Sequence, residues 1–553
     1  MLNAKRLYLY GVLGVALAIL LWGVTSIFRL ALQAIGAAAG SGDAVGADVA
    51  RDELSLAVAL VLVAVPVLAV HLWLIRRTVV ESPGAAADER ASTIRAAYFC
   101  LVLTITGAIA VLQLYEVVQQ LAGAALASQR VEGLAGATAA LIVTGVAWLV
   151  HVWWRRSDFL AEPARTANDW LTRAYLYGGL FILAVLLAYW LAEILTVISS
   201  ELAGARASWE PWQRDIVTPI AGAVGSAVGW SANWILALWL VRADPPLGEA
   251  HRASRTRVGY FLAVLLVCSG AALVLVATSL QYVFSEILGV WQSYDGTRLA
   301  EDVFGPLLMA VPFVLVGWGH HRRLVREASA FGGPSRFASA RRSALYGLAF
   351  VGLAGAAIGV AIAAQGMLDY LGASGVFDRT VALRDEVAPG LGFALTGLVL
   401  WIPTWRLVRR DRAAEPLLVA DSVPRRAYLL LVSALAVVAT MVSLAYLAYQ
   451  LIRAVLDAGP VEDPAWAVSG VVVGGVVLGY HLLLLRADGV ILAGSPAPAE
   501  SPIGEGGTEA GVAETIEISA PAGTDLEAVN AAIRADLPEG SEMRVLPGRT
   551  GHA

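Results

Sequence analysis

Two groups of side chains in this sequence could do chemistry. The first is histidine. Five of the seven, His71, His151, His320, His321 and His481, stand just before the arginines that close apolar stretches. Imidazoles held at one depth on separate helices can ligate haem iron or a transition metal. The second group is charged. Glu116, Glu193 and Glu286 lie in apolar context, with Arg29 and Arg453 towards the same ends of their segments. An ionisable side chain in a membrane segment is a candidate site for a cation or substrate.

Depth decides between uses. Glu116 follows Arg95 by 21 residues, and Glu193 follows Arg173 by 20. At about 1.5 Å per helical residue, each lies about 30 Å from its arginine, the full hydrocarbon thickness. These acids belong at the far interface, with Glu286 beyond it, and no acid falls near the midplane for a proton relay. The histidines belong at the near interface. Trp, Tyr and His gather there because one end of each is apolar and the other polar. A metal-bound imidazole also needs an acceptor behind it, and carboxylates at that depth are few. The five histidines therefore read as an interfacial belt, with lipid headgroups as a further contact. No cofactor, metal ligand or catalytic residue is predicted. P-loop, HExxH, GxSxG and CxxC patterns are absent from the sequence.

The elements that must carry these residues are plain. The chain has 553 residues, 58% hydrophobic and 15% charged, with mean hydropathy +0.69. Soluble domains carry about 25% charged residues, so a soluble enzyme or disordered chain is excluded for most of the length. A net charge of −5 gives no basis for a nucleic-acid partner. Cys100 and Cys268, the only cysteines, lie in apolar segments and build no disulfide framework.

Twelve segments are long enough to span a bilayer: 7–35, 54–76, 95–122, 133–154, 173–199, 216–241, 257–290, 303–321, 342–371, 387–408, 426–456 and 465–485. The N-terminus and the connections after even segments hold 27 Lys/Arg, against seven after odd segments. That asymmetry predicts a bacterial cytoplasmic-membrane protein with both termini in the cytoplasm. Small-residue patterns such as Gly225–Gly229, Gly355–Gly359, Gly470–Gly474 and Gly475–Gly479 predict close helix contacts. Pro66 and Pro312 predict bends.

The segments repeat as helical hairpins every 80–90 residues. Odd segments open on Arg then Tyr, as in Arg6-Leu-Tyr8, Arg95-Ala-Ala-Tyr98, Arg173-Ala-Tyr175, Arg257-Val-Gly-Tyr260 and Arg426-Ala-Tyr428. Even segments close on Trp or His before Arg, as in His71-Leu-Trp73, Trp148-Leu-Val-His151 and Trp318-Gly-His320-His321. Asn233 and Thr404 replace the histidine in the third and fifth hairpins. These motifs resemble an uncharacterised family of bacterial multi-pass membrane proteins, domain of unknown function 5671, over roughly residues 5–490. The resemblance implies architecture and no activity.

The expected fold is all-α: twelve membrane helices as six parallel hairpin repeats, 5–90, 91–168, 169–252, 253–338, 339–422 and 423–490. The expected domains are a transmembrane domain over residues 1–490, a disordered linker over 491–513 and a small cytoplasmic α/β tail over 514–549 with βαβ-like patterning. The tail region carries ten acids and three arginines, so it could dock on the protein's own Arg-rich loops, although acidic tails of this kind are more often solvated spacers. Three functions stay open. The leading one is non-enzymatic binding or translocation of a solute or lipid between repeats. The others are a scaffold recruiting a cytoplasmic partner through the tail, and a His-ligated redox protein.

Overall fold

The computed structural model describes residues 2–38, 46–80, 83–161, 169–202, 211–243, 254–290, 300–331, 333–456 and 464–493. The expected α/β tail lies outside the described residues. Twelve helices among the described residues are long and apolar enough to cross a membrane, and these residues include no strand. We number them α1 (Leu2–Ala38), α2 (Ala47–Val80), α3 (Thr93–Ala127), α4 (Leu134–Ala161), α5 (Asp169–Leu202) and α6 (Val217–Ala243). The rest are α7 (Arg255–Ile287), α8 (Gly305–Phe331), α9 (Gly333–Gly372), α10 (Ala388–Ala414), α11 (Val423–Val455) and α12 (Ala465–Ala493).

The candidate spans run from 25 to 39 residues, whereas about 20 cross the hydrocarbon. Each helix therefore has turns to spare at its ends, where polar side chains cost less than at the midplane. The helices continue through Pro66, Pro312 and Pro403. Short π-helical segments, Ala300–Phe304 and Leu383–Val387, lead into α8 and α10.

Packing follows chain order. Each odd helix packs on the even helix after it, and the odd helices touch in succession from α1 to α11. Across neighbouring pairs α4 packs on α1, α6 on α3, α8 on α5, α10 on α7 and α12 on α9. Odd helices thus form one layer. From α4 onward, each even helix nests over the groove between two odd ones. Packing between α4 and α6 is slight by comparison.

Lipid tails are as apolar as leucine, so helix pairs here need close packing or polar contacts. α9 and α10 use glycine. A Cβ on Gly397 would collide with the backbone of Ala356, and one on Gly359 with that of Ala394. The expected small-residue faces are partly realised. Gly225 and Gly229 face Val111, and Gly470 and Gly474 face Ser443 and Thr440. Gly355 faces Leu273 while Gly359 faces α10, and Gly475 and Gly479 have open space.

The core forms three clusters in sequence order, centred on Tyr10 and Tyr98, on Tyr177 and Tyr260, and on Tyr346 and Tyr428.

Candidate functional site

Each core cluster encloses one copy of the same polar arrangement. It begins with a helix start. Ser92, Ser254 and Ser422 are the N-cap residues of α3, α7 and α11, and an arginine follows three residues later. The Ser254 hydroxyl accepts from the Arg257 backbone N–H, which sets the first turn of α7. Three residues further comes a tyrosine, on the same helix face as the arginine.

The arginine forks onto an acid near the end of the following helix. Arg95 holds Asp158 through Nε and Nη2, both at 2.8 Å. Arg257 holds Glu327 at 2.6 and 2.7 Å. Arg425 holds Asp488 through Nε and, at 3.0 Å, through Nη2. Arg95, Arg257 and Arg425 are only 1–2% exposed. The remaining Nη1 donates across to the preceding hairpin, to the Tyr10, Tyr177 or Tyr346 hydroxyl at 2.6, 2.9 and 3.1 Å. In the first copy Tyr10 then donates to Glu89, which Arg6 also holds.

A second arginine supports each acid: Arg155 at 3.9 Å from Asp158, Arg323 at 3.3 Å from Glu327, Arg412 at 2.9 Å from Asp488. A cation in a first helical turn and an anion near a helix end both oppose the helix dipole. The pair is therefore held by mutual geometry, and that geometry fixes the register of two antiparallel helices.

Seven residues before each acid, two turns back on the same face, stands a histidine. His151, His320 and His481 each turn Nδ1 to the carbonyl four residues earlier, at 2.7–2.8 Å. A carbonyl only accepts, so Nδ1 carries the proton. Nε2 is left as the acceptor for the hydroxyls of Tyr98 (3.1 Å), Tyr260 (2.7 Å) and Tyr428 (3.3 Å). Tyr260 also accepts from Trp230. These are hydrogen-bond chains that end within the protein.

The other predicted residues fall outside this arrangement. His71 also donates to a carbonyl, that of Val67, but its buried Nε2 makes no hydrogen bond. Nδ1 of His321 is likewise buried without one. Among the described residues, no three His, Cys, Asp or Glu side chains gather as a metal site would require. Arg29 pairs with Glu53 at 2.6 Å, a residue the sequence reading did not select. Glu116 and Glu286 are exposed. Glu193 takes a hydrogen bond from Tyr189, and Arg453 lies over the Tyr449 ring. These five charged residues stand on five different helices.

Sequence reasoning missed the acids and singled out the wrong arginine in the last hairpin. Carboxylates do stand near the histidines' level, but they are committed to arginine. Arg426 is exposed and pairs with Asp421, whereas Arg425 is the buried member. The readable signal is Ser-x2-Arg-x2-Tyr on one helix and His-x6-Asp/Glu on the next.

Residues 6–133 and 342–480 match the family described as Domain of unknown function (DUF5671). Both matched regions begin on an arginine, Arg6 or Arg342, four residues before Tyr10 or Tyr346. Internal repetition of the chain is thus seen at the level of the family as well as of the side chains. No curated protein and no solved structure matches the chain.

Proposed function

We propose that this chain is a non-enzymatic protein of the bacterial cytoplasmic membrane that binds lipid between its helical hairpins. Six parallel hairpins, grouped two by two into three modules, place the Arg-rich end and both termini in the cytoplasm. The buried polar residues serve to hold the modules together. A redox reading would require His151, His320 and His481 to give up their tyrosine partners.

The observation that carries the proposal is a cleft between α4 and α6, floored by α3 and α5. Leu103, Val152, Tyr175, Leu176 and Leu236 line it, with Arg155, Arg156 and Thr172 at its Arg-rich end. It encloses about 10 Å³, the room of roughly one water. That is too small for a solute, or for an acyl chain inside the protein. The slight packing between α4 and α6 leaves a shallow apolar groove, and a chain lying in the bilayer would run along its outside.

The test is native mass spectrometry of the full chain released from mild detergent. We expect the protein to retain phospholipid, and Trp239→Ala, which removes an exposed ring of α6 beside the groove, to retain less while melting within a few degrees of the wild type. Efficient solute flux into liposomes, or a fully delipidated protein with unchanged stability, would overturn the reading.

A further inference from the structure

We propose that copies of this chain join head to tail in the membrane, with α11 of one copy packed on α2 of the next. The joint continues an interface that the chain already makes twice within itself, and it is separate from the α4–α6 groove.

The internal interfaces lie between successive pairs of hairpins. The second odd helix of each pair, α3, α7 or α11, opens on Ser-x2-Arg-x2-Tyr. The rear of α3 receives α6, and the rear of α7 receives α10. Gly225 and Gly229 of α6 lie against Val111 of α3. Gly392 of α10 lies against the Ala277 carbonyl of α7, and Gly355 of α9 against Leu273. Counted from the motif tyrosines, Val111 and Leu273 are equivalent, and so are Tyr115 and Ala277.

α11 carries the same two positions as Met441 and Ala445. Leu273 and Ala277 are 7% and 0% exposed, whereas Met441 is 62% exposed and Ala445 is exposed as well. The other end of the chain is complementary. His71, Asn233 and Thr404 are equivalent positions of α2, α6 and α10, and twelve residues before them stand Ala59, Ala221 and Gly392. Ala221 and Gly392 are buried, but Ala59 is exposed, with Ser55 and Val63 one turn to either side. Among the described long helices, α2 packs closely on α1 alone, and α11 on α9 and α12. The last hairpin pair thus has a rear face with no follower, and the first has a front face with no predecessor.

Apolar faces gain little from meeting in lipid unless small residues let the backbones approach. Ser55-x3-Ala59 on α2 and Ala445-x2-Ala448 on α11 supply such residues. Val63 stands where Gly225 does, so this joint is wider than the first internal one and its occupancy rises with protein concentration. A head-to-tail contact is heterologous, and it closes into a ring or runs on as a row.

The experiment is disulfide cross-linking of the full chain in native membranes with copper phenanthroline as oxidant, after Cys100→Ala and Cys268→Ala. Ala59→Cys combined with Ala445→Cys should give reducible dimers and larger species, and either cysteine alone should give none. A second arm keeps the native cysteines and reads oligomers in native mass spectra. Ala445→Trp should lower the oligomeric fraction about tenfold, the scale of overfilling a close contact. Val399→Trp, at a 65% exposed position of α10, should leave it unchanged.

Cross-linked dimers from Ala445→Cys alone would mean a two-fold pair through α11, and would overturn the head-to-tail joint. A disulfide formed within one chain by the double variant would mean that α2 and α11 of the same copy meet, and would overturn it too. No cross-link, with a monomer in native spectra at every concentration, would mean that lipid covers both faces. Equal loss of oligomer in Ala445→Trp and Val399→Trp would also overturn the assignment to α11.

Discussion

The fifth and sixth hairpins hold two helices together in different ways. α9 and α10 meet backbone to backbone, with Gly352 against Gly397 and Gly359 against Gly390. Their ion pair, Arg341–Asp411, is partly exposed, at 40% and 19%. α11 and α12 instead bury Arg425 on Asp488 and tie the pair back to Tyr346 of the hairpin before. The difference shows two answers to one problem. Inside a bilayer there is little hydrophobic gain in bringing helices together, so either contact distance or paired polarity must do it. Glycine sets how near two helices lie. The charge set also fixes their register and recruits a third helix.

The sharpest way to break this comparison is to remove one half of the charge set. Arg425→Leu leaves Asp488 buried with only Arg412 beside it, and should cost about 3–5 kcal/mol. The measurement is unfolding in detergent with a graded denaturant. The double variant Arg425→Leu with Asp488→Leu should recover most of that loss, because a buried pair is expensive to half-remove. A double variant as unstable as the single one would mean that the pair contributes net stability of its own.

The next largest effect is expected in the fifth hairpin. Gly397→Val would press into the Ala356 backbone and should cost about 1–3 kcal/mol, while Arg425 chemistry stays intact. Gly475→Ala, at a position with open space, is the control and should be neutral or slightly stabilising. Equal destabilisation by the two would show that glycine spacing is not what holds α9 to α10.

Smallest of the three is Tyr346→Phe. It removes the hydroxyl that accepts from Arg425 across the hairpin junction. Hydrogen bonds between membrane helices are worth about 0.6 kcal/mol on average, so the expected loss is of that order. The same change at Tyr177 should cost no more, because Phe keeps the ring and Arg257 still lies over it and over Trp234 and Phe261. Leu429 stands where Phe99 and Phe261 stand in the other copies. A much larger loss at Tyr346 would mean that the phenol, and not the arginine–acid fork, organises the set.

Much of the architecture was written in the sequence. Twelve apolar stretches of sufficient length dictate twelve helices, because no other structure satisfies the backbone of so apolar a chain within lipid. The arginine asymmetry carries the expected orientation. The hairpin period was visible in the Arg-then-Tyr openings and the His or Trp closings. The doubled period, in which only alternate hairpins carry a complete polar set, was also present as Ser92, Arg95 and Tyr98 with His151 and Asp158. It went unread because each half of the pattern is short and lies on a different helix.

Tertiary structure alone decided which of these residues are used. Arg425 and Arg426 are adjacent in sequence but about 100° apart around a helix. Only the neighbouring helix determines that the first is buried on Asp488 and the second reaches solvent-exposed Asp421. Tyr175 and Tyr177 differ by two positions and so turn to different partners, Trp148 and Arg257. The histidines show the same limit. Their depth could be read from distance along the chain, but their partners depend on a second helix. Composition and periodicity fix the helices and their ends. Which face of each helix meets which neighbour is set by packing between segments far apart in the chain.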